Sequence, residues 1–254
     1  MYQYWCYYTP SNGSHHIVRY SESTRSAALR LGRLARAGWI SHVRRGLYYL
    51  PPLDAGPHVI ADDSWVLADA IFAPCYIGGW SAAEHWGLTE QLFRFTFVAT
   101  ATHIRKRAQA IAGNSFHLTK VPLARIESVP LSWRGTGRLR VSSADRTIVD
   151  AFRDPSWVGG IRHLGSILVA YRDSKEGSDA LLAKALGDHG NGAAHKRAGY
   201  LASRLWPSAT ALVDSAAAGV SAGVLKLDPA IATRGDMNSR WGLWINARIE
   251  ERDS

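Results

Sequence analysis

A run of helical period at residues 25–36 most constrains the first fifth of this chain. Ser23-Thr24-Arg25-Ser26 supplies an N-cap, because a short side-chain oxygen there accepts from backbone amides that the first turn leaves unpaired. At about 100° per residue, Ala27, Ala28, Leu31, Leu34 and Ala35 share one side, while Arg25, Ser26, Arg30, Arg33 and Arg36 share the other. Gly38 follows where a helix C-terminus takes a left-handed residue, and the interior Gly32 costs about 1 kcal/mol relative to alanine. The spacing predicts an amphipathic helix with an arginine face.

Trp39 to Val43 and Leu47 to Leu50 then read as two short strands, with Arg44-Arg45-Gly46 at the turn. A helix followed by a basic hairpin is the winged-helix arrangement, in which the helix reads base edges in the major groove and the wing holds phosphates. Arg25, Ser26 and Arg30 are the expected readers, and Arg44 and Arg45 the expected clamps. The segment before the helix contains Pro10-Ser11-Asn12-Gly13, which breaks helices, so Ser14 to Tyr20 is expected to form at best one short supporting turn. The winged helix, residues 1–51, is therefore expected to be shortened at its start.

Charge points the same way. Residues 1–50 carry seven arginines against a single acid, Glu22, and so hold +6 of the formal net charge of +9 in 254 residues. A localised excess of this kind suits a polyanion such as duplex DNA, although a solvated basic face would give the same count. With 46% apolar residues the chain can build a core, which excludes intrinsic disorder. Cys6 and Cys75 make neither a disulfide framework nor a zinc-binding pair, so a reducing, cytoplasmic location is expected. Met1 to Tyr8 lacks the pattern of a signal peptide, and no apolar run approaches the ~20 residues that span a bilayer. No membrane partner is expected.

Pro51-Pro52 and the polar stretch to Pro57 read as a linker, placing a second domain at 58–254 with two lobes, 58–158 and 159–254. Strands are expected at Pro74 to Gly78, Phe93 to Thr100, Ser115 to Val121 and Arg138 to Val141, in a small antiparallel sheet. Ser81 with Glu84, and Ser142 with Asp145, have the capping-box spacing. Helices follow, one marked by Ile161, Leu164, Ile167, Leu168 and Tyr171, one by Leu181, Leu182, Ala185 and Leu186 and closed by Gly187, one by Ala194, Ala198, Leu201 and Leu205, and one at Ala209 to Ala218. A strand near Val224 to Leu227 and a half-buried strand over Trp241 to Ile249 end the pattern. The fold class is α+β, a winged helix followed by a mixed α/β domain.

Familiar catalytic patterns are missing. Gly187 to Lys196 has glycines and a lysine, but Ala193 rather than lysine follows Gly192, so it is not a P-loop. The histidines, including His15-His16, lack metal-ligand spacing, and Cys75 in an apolar strand suits a core better than a nucleophile. Lys226 with Asp228 comes nearest to a nuclease strand but lacks the second carboxylate. No catalytic residue, metal or cofactor is expected. Two further basic clusters stand out. Arg105, Lys106 and Arg107 suit either an exposed strand end or a contact to nucleic acid or a partner. Lys196 and Arg197 suit a solvated helix face or a second contact surface.

Several stretches in order resemble the antitoxins of abortive-infection type IV toxin–antitoxin pairs, the AbiEi type. They are Gly38 to Tyr48 (GWISHVRRGLY), Tyr76 to Leu88 (YIGGWSAAEHWGL), Val141 to Phe152 (VSSADRTIVDAF), Gly159-Gly160, His195 to Leu201 (HKRAGYL) and Arg240-Trp241-Gly242. The resemblance implies a winged-helix DNA-binding part joined to an α/β antitoxin domain, in a phage-defence protein that represses its own operon by binding inverted repeats in promoter DNA. It also implies a functional partner, a nucleotidyltransferase-type toxin encoded alongside. The family's DNA-binding role carries over onto Thr24 to Arg36, adding Thr24 and Arg33 to the readers, and onto Arg44-Arg45. The alternative is an interaction module with vestigial DNA binding, whose second domain engages the toxin or its substrate.

Overall fold

The computed structural model describes residues 16–19, 25–44, 47–50, 63–134 and 137–249. The chain runs β1 (His16–Arg19), α1 (Arg25–Arg36), β2 (Ser41–Arg44), β3 (Leu47–Leu50), α2 (Ser64–Phe72), β4 (Cys75–Ile77) and α3 (Gly79–His85). It continues through β5 (Thr96–Thr100), β6 (Ala108–Ile111), β7 (Asn114–Lys120), α4 (Leu123–Glu127), β8 (Leu131–Arg134) and β9 (Gly137–Arg140). Next come α5 (Ala144–Arg153), α6 (Ile161–Asp173), α7 (Asp179–His189), α8 (Gly192–Leu205) and α9 (Thr210–Ala218). The last strands are β10 (Leu225–Lys226), β11 (Asp236–Asn238) and β12 (Leu243–Ile245). The protein is α+β.

Two compact units divide the chain, one of Met1–Ile77 with Arg94–Val141 and the other of Gly78–Phe93 with Ser142–Ser254. The grouping follows packing rather than chain order. Residues 78–93 and 142–158, which the sequence assigns to the lobe 58–158, belong with the later helices. The expected linker at Pro51 to Pro57 lies outside the described residues.

In the first unit, α2 starts because the Asp63 carboxylate accepts from the amides of Trp65 and Val66, at 2.9 and 3.4 Å. Its apolar residues Leu67, Ala68, Ile71 and Phe72 recur at helical spacing and enter a core with Ile77, Val98, Phe116, Leu118 and Leu139. Phe72 meets Phe116 edge-on at 5.3 Å between centroids. The four-stranded sheet has the order β4-β5-β7-β6. It is mixed rather than antiparallel as expected, because β5 pairs with β7 in parallel and β6, the returning segment, lies outside β7. That placement buries every residue of β5, whereas β6 alternates between exposed and half-buried. β6 and β7 are joined by a two-residue turn, Ala112-Gly113, both at positive φ (48° and 76°).

The second unit packs α5 against α7 and α8, and α9 against α7 and α8. Ile161, Leu164, Ile167, Leu168 and Tyr171 are all buried on α6, as their spacing predicts. A small sheet of order β10-β12-β11 completes the unit. Two glycine positions fix close approaches here. Gly159 sits at φ +79°, and a Cβ there would stand 2.3 Å from Trp80; on α8, a Cβ at Gly199 would stand 2.1 Å from Trp241.

Several local expectations are corrected. Ser14 to Tyr20 does not give a helical turn where it is described: His16-Ile17-Val18-Arg19 forms β1, as its β-branched centre allows, and pairs antiparallel with β3. Neither capping box forms. α3 begins at Gly79 with Gly78 as cap, so Ser81 is already inside the helix and buried, and α5 is capped at Ser143 while Ser142 pairs with the Thr147 hydroxyl at 2.7 Å. Helix α7 passes through Gly187 to His189, because neighbouring helices supply the packing that outweighs one glycine, and Leu181 stays exposed. The terminal strand is confined to Leu243–Ile245.

Candidate nucleic-acid interface

Helix α1 ends as its sequence dictates. Gly38 takes φ +80° and donates to the Ala35 carbonyl at 3.1 Å, while Trp39 donates to Leu34 at 3.0 Å. The hairpin β2–β3 follows, and β1 closes a sheet of order β1-β3-β2. A helix leading into a hairpin whose second strand is the central one is the order of elements that the expected winged helix calls for.

Arg30, Arg33 and Arg36 are exposed at a spacing of three, which puts them on one stripe of α1. The Arg36 Nε donates to the Gly32 carbonyl at 3.2 Å, which leans that side chain back along the helix. Arg25 and Ser26 form the first turn of α1, and Arg44 ends β2. Thr24 and Arg45 lie outside the described residues. On the other side of α1, Leu31 and Ala35 are half-buried and Ile40 is buried. Leu34 departs from the expected inward placement at 43% exposure, and Leu29 and Trp39 are more exposed still, at 54% and 60%.

The second basic cluster divides. Arg105, Lys106 and Arg107 are exposed in the loop that leads into β6. Lys196 and Arg197 correct the expectation of a contact surface, because both are buried, at 1% and 3% exposure. The Lys196 ammonium donates to the Gly223 carbonyl. The Arg197 guanidinium donates to four carbonyls: Leu227 and Phe152 at 2.9 Å, Arg153 at 3.0 Å and Lys226 at 3.2 Å. It thereby ties the last turn of α5, where unpaired carbonyls and the helix dipole favour a cation, to β10. Burial pulls its pKa down to about 10, against the opposing pull of Asp154 and Asp228. These two cations are internal fasteners.

The near-nuclease pair is structural too. The Lys226 ammonium bonds the carbonyls of Ile231 and Ala232. The Asp228 carboxylate accepts from the amides of Ile161 and Ala230, both at 2.9 Å, and so caps α6. Among the described residues no group of histidine, cysteine, aspartate and glutamate could hold a metal ion. Burial, then Asp69, pushes the Cys75 thiol far above its ordinary pKa, which suits a core residue and not a nucleophile.

One exposed feature escaped the sequence reading. In the hairpin β8–β9, Trp133 is 72% exposed, and the Arg138 guanidinium lies 5.5 Å from its ring centroid. The signal was the segment LSWRGTGRLR, in which Gly-Thr-Gly separates Trp133-Arg134 from Arg138 and Arg140.

No family model matches the chain, and no curated protein does. Among solved structures the chain is similar to the RV2827C protein from Mycobacterium tuberculosis, with a TM-score of 0.56 and 19% identity over 87% of this chain and 80% of that one. At that identity the likeness concerns the fold alone. Among the described residues no helix is long and apolar enough to cross a membrane.

Proposed function

We propose that this protein is a type IV antitoxin that also represses its own operon, binding promoter DNA through α1 and the β2–β3 wing. The observation that carries the DNA-binding half is the exposed stripe of Arg30, Arg33 and Arg36 on a helix that leads directly into the hairpin. A stripe of guanidinium groups at this spacing suits phosphates and guanine edges along one groove. The antitoxin half rests on the sequence resemblance, which also supplies the nucleotidyltransferase-type toxin as functional partner and a cytoplasmic site of action. No catalytic step is assigned.

Operator binding tests this reading. Electrophoretic or anisotropy titrations of the full chain against the DNA upstream of its gene should show saturable binding that weakens steeply with salt. Changing Arg30, Arg33 and Arg36 together to glutamate should abolish it without loss of toxin rescue. If affinity survives the triple change, α1 is not the reading helix.

The exposed Leu29, Leu34 and Trp39 favour a second reading, a protein-interaction module with vestigial DNA binding that engages its partner through the α1 region and not, as the sequence alternative has it, through the second domain. Apolar side chains of that size are unusual beside phosphate-contacting arginines. Loss of toxin rescue on changing Leu29 and Trp39 to serine, with the fold intact, would select it.

A further inference from the structure

Strand β6 is the open edge of the sheet β4-β5-β7-β6. Beside it lies a cleft of about 750 Å³, lined by apolar Ile71, Phe72 and Leu118, by Arg105 and Lys106, and by the strand itself. Among the described residues no acidic side chain lines this cleft, and both cations are exposed.

The direction of the strand's backbone groups follows from one bond. The Arg107 carbonyl accepts from the Leu118 amide at 2.7 Å, so it faces β7. Backbone groups alternate along a strand, so those of Gln109 and Ile111 also face β7, in register with Phe116 and Asn114. The amide and carbonyl groups of Ala108 and Ala110 therefore face outward, and both residues are exposed. A sheet edge of this kind is a template for another strand.

We propose that the cleft is a docking site for an extended acidic segment of a partner protein, which adds as a strand outside β6 and sets its carboxylates against Arg105 and Lys106. Charge complementarity selects an anionic partner. The strand-spaced donors and acceptors of Ala108 and Ala110 select a peptide over a nucleotide, since the loop 101–107 contains no glycine to form a phosphate cradle. The site stands apart from the promoter reading, because none of its residues lies in α1 or the β2–β3 hairpin.

The test uses the full chain and a fluorescein-labelled heptapeptide of alternating glutamate and valine, followed by anisotropy. Controls are the lysine–valine peptide of the same pattern and a labelled oligothymidylate. The acidic peptide should bind saturably and more weakly as salt rises, while the lysine–valine peptide should not bind. Arg105→Glu combined with Lys106→Glu should weaken binding about tenfold, the loss of two surface charge pairs. Ala110→Pro removes only an outward-facing donor and should weaken it by about the same factor. In the unmodified protein, the peptide should slow hydrogen exchange at the amides of Ala108 and Ala110, a readout that needs no variant to fold. Absence of saturable binding, tighter binding of the oligothymidylate, or unchanged exchange at those two amides would each overturn the proposal. Promoter binding is measured in parallel on the same variants, so failure here is separable from failure of the DNA reading.

Discussion

Two sets of basic residues look alike in the sequence and behave oppositely in the fold. Arg30, Arg33 and Arg36 on α1 face solvent, whereas Lys196 and Arg197 on α8 are buried against backbone carbonyls. Both sets lie on helices backed by alanine and leucine. What separates them is what lies opposite. Helix α8 sits among α5, α6, α9 and the β10 region, where carbonyls at a helix end need a donor, and long basic side chains reach them. A count of positive charge therefore overstates the surface available for an anionic partner.

The largest effect that could break this contrast is on stability. Arg197→Met keeps the aliphatic stem but takes this donor from four carbonyls, two of them buried and two part-buried, and should destabilise the protein by about 3 to 5 kcal/mol in chemical denaturation. Arg33→Met, at an exposed position of α1, should move stability by no more than about 0.5 kcal/mol. Equal effects from the two changes would erase the distinction between fastener and surface.

Next in size is sequence discrimination. Arg30→Ala should relax base preference by about 1 to 3 kcal/mol at one operator position, read by competition among single-base variants, if its guanidinium contacts a base edge. Uniform weakening across all variants would reassign Arg30 to phosphate contact. Arg44→Ala and Arg45→Ala should act in just that uniform way, each lowering the slope of log affinity against log salt by about 0.9. An unchanged slope would remove the wing from the interface.

The smallest effect concerns pH. Burial, the first cause in each case, holds the imidazoles of His163, His117 and His189 below their ordinary pKa. Neutral imidazole is thus the folded form, and the unfolded chain binds more protons as acid is added. The stability these groups contribute is present above the unfolded histidine pKa, about 6.5, and is lost as pH falls through that value towards the lower folded ones. His163 is the clearest case, since its ring packs 4.2 Å from Trp80 and its Nε2 lies 3.1 Å from the Thr89 hydroxyl. Melting temperature should fall between pH 7 and pH 5, and less steeply in His163→Gln. A flat profile would show that these rings are freely hydrated.

Much of the local architecture is legible in the residues. The 3.6-residue period of α6 and α8 is strong enough to name their buried faces, and Gly38 marks the end of α1 because only a left-handed residue closes that turn. The capping boxes at Ser81 and Ser142 mislead, since a spacing of three also occurs where the hydroxyl is drawn into the interior. The segments β6, β8 and β11 go unread because each is short, and packing rather than period defines it, whereas α2 goes unread although Leu67, Ala68, Ile71 and Phe72 carry a helical spacing. Of the candidate interface, the arginine stripe is legible and the fate of Lys196 and Arg197 is not.

The sequence by itself determined the α+β class, the amphipathic α1 with its outward arginines, and the positions of α6 to α9, because hydrophobic period is local. Only the tertiary structure decided that β5 pairs with β7 in parallel and leaves β6 as an edge, that residues 78–93 join the later helices, and that two basic side chains turn inward. Those outcomes depend on which distant backbone groups meet a given side chain, and no neighbour along the chain carries that information.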